Sequence, residues 1–178
     1  MKILHIFLWT CFATSFIFLA GQEIHIVCFD HVCYHPVILE LADYHKLSSI
    51  LSNWNDTYVH AKSLIHYARI NTRVDFIFIL GYTGAIIMTS YNLMQGEKNP
   101  KWNNLLRLCF PLAVLIGLLD IVENIILLYD MHDYPGDHGL IISLPVSAIK
   151  WLLTLFVLAI IIIAAFRRLR FASTKKLN

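Results

Sequence analysis

Residues 105–129, LLRLCFPLAVLIGLLDIVENIILLY, decide how the rest of the chain is read. The run is long and apolar enough to cross a bilayer, which takes about 20 residues. Inside it sit Asp120, Glu123 and Asn124. Carboxylates in hydrocarbon are costly, so they turn toward other helices or a wet cavity and mark functional positions. Their spacing, i, i+3 and i+4, puts all three on one helical face. The same stretch thus predicts a membrane-crossing helix and the place of its polar site.

The composition outside it agrees. The 178 residues are 58% hydrophobic and 15% charged, where a soluble domain carries about 25% charged residues. Apolar residues gather in four blocks, with spans predicted at about 3–20, 74–94, 105–129 and 144–166. The first block could be a signal peptide. Phe18 fits a small-residue cleavage signature before Ala20 badly, however, and apolar character resumes at Ile24, so a retained helix is the preferred reading. In the second span Gly81, Gly84 and Ala85 form a thin face that another helix could approach.

Residues 21–73 form the one sizeable polar region and are expected outside the hydrocarbon. After Pro36, the positions Ile38, Leu41, His45, Leu47, Ile50, Leu51 and Trp54 predict an amphipathic helix ending near residues 53–55. Asp56 is then expected to cap a second helix, with Ala61, Leu64, Ile65 and Ala68 on one face, running into the second span. The 95–107 loop and the tail after Phe166 are basic, whereas the 130–139 turn carries Asp130, Asp133 and Asp137 and no Lys or Arg. The positive-inside rule then predicts both termini in the cytoplasm and the 21–73 region outside. Arg167, Arg168, Arg170, Lys175 and Lys176 are read as a topology signal. No nucleic-acid partner is expected.

Lys150 is the expected partner of the Asp120/Glu123 face. Counted from the outer ends of their spans, the two sites lie at similar depth, roughly 9–13 Å at 1.5 Å per residue. An ion pair there reduces the cost of burying each charge. It serves equally as a lock on helix packing or as a binding or proton site. Asp75, at the mouth of the second span, could join with Arg73 and Tyr82, or could sit solvated at the membrane edge. Ser147 lies three residues before Lys150 and makes a weak case for a Ser/Lys nucleophile pair. His25, Cys28, Asp30, His31, Cys33 and His35 crowd together, but in no standard metal pattern. A disulfide between Cys28 and Cys33, or free thiols, is preferred to a metal, and no cofactor motif is present.

The stretch Asp75-Phe76-Ile77-Phe78-Ile79 with Tyr82-Thr83, the span Asp120-x-x-Glu123-Asn124, and Lys150-Trp151 resemble a group of small bacterial multi-span membrane proteins. That group shows a D-F-x-F-I-x-x-Y-T stretch, a D-x-x-E-N span and a K-W span. The likeness covers about residues 55–166 and brings no reaction with it. What it implies is the four-helix architecture and the choice of polar residues.

The expectation is therefore an all-α chain: a single four-helix transmembrane bundle, in the cell membrane, with a small extramembrane helical region. Asp120, Glu123, Asn124, Lys150 and Asp75 form its candidate binding cluster. Besides the bilayer, the partner classes left open are another membrane protein, a second copy of the chain, or a small ligand. A membrane enzyme acting on lipid is the competing class. A proton-coupled transport component ranks below it, because residues 108–119 supply almost no polar path below Asp120.

Overall fold

The computed structural model describes residues 2–29, 32–33, 44–59, 62–132 and 140–174. The architecture is all-α. Four long helices carry it: α1 (Lys2–Val27), α3 (Leu64–Met94), α4 (Pro100–His132) and α5 (Leu140–Thr174). The shorter α2 (Tyr44–Asp56) lies between α1 and α3. Two antiparallel pairs of two-residue strands frame α2: β1 (Cys28–Phe29) with β2 (Val32–Cys33), and β3 (Tyr58–Val59) with β4 (Lys62–Ser63). Three helical stretches are long and apolar enough to cross a membrane: Leu64–Met94, Pro100–His132 and Leu144–Leu169. In α1 the apolar run is shorter, Ile6–Gly21, although the whole helix of 26 residues is about 39 Å long.

The helices pack in chain order. α3 lies between α1 and α4, and α4 packs on α5, with lighter contact between α3 and α5. Each neighbour runs antiparallel to the last. Along α1 and α3, Leu8 meets Gly84, Phe12 meets Gly81, and Phe16 approaches Phe78. Along α3 and α4, Tyr82 meets Asp120, Asp75 meets Asn124, and the Arg69 side chain donates to the Met131 carbonyl. Many large apolar side chains point outward on α4 and α5, among them Leu118, Val122, Ile125, Leu152, Leu155 and Ile162. Such a surface suits hydrocarbon and would be a liability in water.

One end of the bundle is closed by α2. Ile50, Leu51 and Trp54 bury against Leu64, Ile65, Ala68 and Met131. This is the amphipathic helix read from the sequence, although residues 34–43, where its first turns were expected, lie outside the described residues. The second expected helix begins later than its sequence suggests. Asp56 is the last residue of α2 rather than a cap. The β3–β4 hairpin intervenes, and α3 starts at Leu64, whose N–H donates to the Thr57 carbonyl at 2.9 Å. A local polar residue cannot start a helix where the chain first reverses direction. Asp130, read as part of an acidic turn, belongs to α4 and is buried.

At the opposite end, Asn99 and Pro100 open α4 in the usual way. The Asn99 side chain accepts the Lys101 N–H at 2.9 Å, and Pro100 has no N–H to leave unpaired. Glu97 accepts from the Asn99 N–H at 2.9 Å and from Arg167 Nε at 3.3 Å. The Asn99 backbone bond, with the Arg167 guanidinium, holds the Glu97 carboxyl below its ordinary value despite partial desolvation. Arg167 also lies over the Trp102 ring at 4.9 Å, and Arg168 donates to the Asn92 carbonyl at 2.9 Å. The basic tail therefore clamps α5 to the α3–α4 connection.

Candidate intramembrane polar site

The polar face of α4 meets its expected partner. Lys150 Nζ lies 2.9 Å from Asp120 Oδ1 and 2.7 Å from Glu123 Oε2. All three side chains are buried, Lys150 at 6% exposure, Asp120 at 8% and Glu123 at 4%. A buried charge needs close partners on most of its polar atoms, and neighbouring helices supply them. The Tyr82 hydroxyl on α3 donates to Asp120 Oδ2 at 2.8 Å. The Ser147 hydroxyl on α5 donates to Glu123 Oε1 at 2.6 Å. Asn124 Nδ2 donates to Asp75 Oδ2 at 2.7 Å, tying α4 to the mouth of α3.

Asp120, Glu123, Asn124, Lys150 and Asp75 thus form one network across three helices. Tyr82 joins it, whereas Arg73 is exposed. Ser147 is fully buried and hydrogen-bonded to a carboxylate, an arrangement suited to supporting Glu123. Lys150 also lies 5.7 Å from the centre of the Trp151 ring.

The network forms part of a cavity wall. A cleft of about 580 Å³ runs between α1, α3 and α5, with α4 at its back. Asp75, Tyr82, Asp120, Lys150 and Trp151 line it; Glu123 and Ser147 are not among its lining residues. Along α3 the lining extends from Asp75 to Thr89, about 21 Å of helix. Below Asp120 the wall turns apolar, with Ile86, Ile116, Leu158 and Ile161 relieved by Thr89 and Thr154.

The far wall is aromatic and comes from α1. Trp9, Phe12, Phe16 and Leu19 face the cleft, and Phe12 stacks on Phe78 with ring centres 5.3 Å apart. These α1 positions recur at three- and four-residue steps. That signal marked them as one face, and the sequence reading passed over it because it treated α1 only as a span or leader.

The Cys/His group lies largely outside the description. The backbone sets Cys28 opposite Cys33 in the β1–β2 pair, but their side chains, with Asp30, His31 and His35, lie outside the described residues. Among the described residues no group of three His, Cys, Asp or Glu side chains could hold a metal ion. Cys11 and Cys109 are free thiols on α1 and α4. No family model, curated protein or solved structure matches the chain.

Proposed function

We propose that this chain is an integral membrane protein whose four long helices cross the bilayer and whose cleft binds a small amphiphilic ligand. The observation that carries the reading is the meeting of two unlike surfaces in one cavity. The Tyr82–Asp120–Lys150 array sits in the wall of a cleft that is otherwise apolar and aromatic. Ligand sites commonly combine these features: about 300–1,000 Å³, mostly apolar, with a few placed polar groups. In this reading α1 is retained as the first span, because it supplies the aromatic wall. The basic 95–107 loop and tail put both termini in the cytoplasm. The resemblance carried by D-x-x-E-N is part of the same reading and adds no chemistry to it.

The binding test is retention of ligand. The chain purified in a mild neutral detergent should carry an amphiphile detectable by native mass spectrometry. Narrowing the cleft with Thr89→Leu and Leu158→Phe, on the side away from the charges, should reduce occupancy at least about tenfold. Equal occupancy in both proteins would place the ligand elsewhere and sink the reading. A second reading is favoured by Asp120 lining the cleft: a membrane enzyme acting on a lipid, with Asp120 as general acid or base tuned by Lys150. It requires turnover of the retained molecule that Asp120→Asn abolishes while binding persists.

A further inference from the structure

We infer that the ligand is a long-chain lipid amphiphile with an ammonium head group, held at the Asp75 end of the cleft with its chain running down toward Ile161. The inference rests on the binding reading above and adds the chemical class. Among the described residues that line the cleft, two carboxylates, Asp75 and Asp120, face one ammonium, Lys150. That ammonium is 2.9 Å from Asp120, and behind the wall it is also 2.7 Å from Glu123. Its charge is spent on those two carboxylates, so a negative head group would approach three acids with no cation to itself. A positive head group meets the opposite balance. In a low-dielectric site, charge complementarity of this sign governs which partner enters.

The aromatic residues point the same way. Phe16, Phe78, Tyr82 and Trp151 all line the cleft, with Asp75 and Asp120 among them. Phe16 and Phe78 lie with ring centres 6.3 Å apart, and Phe78 and Tyr82 5.4 Å apart. Aromatic faces beside carboxylates suit an ammonium, which is attracted by ring quadrupoles and tolerates weak hydration. The direction of the chain follows from the lining. Asp75 stands at one end, near Leu19 and Ala20, and the other end is made of Ile86, Leu158, Ile161 and Thr89.

The test uses the full chain in neutral maltoside micelles and two brominated probes of equal chain length, an alkyltrimethylammonium and an alkylsulfonate. Binding is read by quenching of the tryptophans, of which Trp9 and Trp151 line the cleft. The ammonium probe should bind about tenfold or more tightly than the sulfonate. Asp75→Asn should remove most of that preference. This variant keeps an oxygen to accept the Asn124 bond, and its melting curve checks that it is folded. Equal or tighter binding of the sulfonate would overturn the ammonium assignment while leaving cleft binding intact. An ammonium preference undiminished by Asp75→Asn in a folded protein would overturn the proposed seat of the head group. Quenching by neither probe, or quenching unaffected by Thr89→Leu with Leu158→Phe, would remove the binding reading itself and the inference with it.

Discussion

Lys150 is the residue on which the buried network turns, because it touches two carboxylates at once. Removing it would orphan both. Breaking a buried pair costs about 3–5 kcal/mol, much of it the penalty for the charge left behind. Lys150→Met should therefore destabilise the protein in detergent by an amount of that order. Because the ammonium is shared, either Asp120→Asn or Glu123→Gln added to Lys150→Met should recover only part of the loss, and both together should recover most of it. Double-mutant cycles from thermal melts measure each coupling. Additive effects at both carboxylates would mean that Lys150 is not held between them. That Lys150 and the α4 face belong together was legible in the sequence from opposite charge and matched depth. That it bridges both carboxylates was not, since a difference of three residues on one helix face is smaller than the reach of a lysine.

Among the elements, α1 and α3 approach each other most closely at a single glycine. A Cβ at Gly81 would lie 2.8 Å from the Phe12 backbone nitrogen and 3.0 Å from its Cα. Backbone cannot move aside without shifting the helix. At Gly84 the nearest atom would be the end of the Leu8 side chain, at 2.7 Å, which can rotate away. Gly81→Ala should therefore cost about 1–3 kcal/mol and Gly84→Ala less than about 1 kcal/mol, a difference visible in melting temperature. Equal costs would mean that the helices do not meet backbone to side chain at Gly81. The small-residue face of α3 was readable from Gly81, Gly84 and Ala85. Its partner was not, because small residues say that something comes close and not which helix does.

The whole molecule has two unlike ends. One carries α2 packed on Leu64, Ile65 and Met131; the other carries the Glu97–Arg167 clamp and the exposed bases Lys98 and Lys101. In the proposed orientation the first end faces outward. In a background lacking the native cysteines, Asn55→Cys should react with a membrane-impermeant maleimide in intact cells. Lys98→Cys should react only after the membrane is opened. Both positions are exposed in the folded chain, so the reverse pattern would invert the topology.

The sequence by itself determined the all-α class, the apolar blocks that become α3, α4 and α5, and the polar stripe of α4. These are local properties: helical periodicity places Asp120, Glu123 and Asn124 together, and the cost of a bare charge in hydrocarbon sends that stripe inward. It did not determine how the helices rotate about their axes or in what order they pack. Apolar all round, they offer little contrast between a buried and an outward face. Only the tertiary structure set Tyr82 on Asp120, Ser147 on Glu123 and Asn124 on Asp75. It also opened the cleft between α1 and α5, because a cavity exists only where packed helices fail to close on one another.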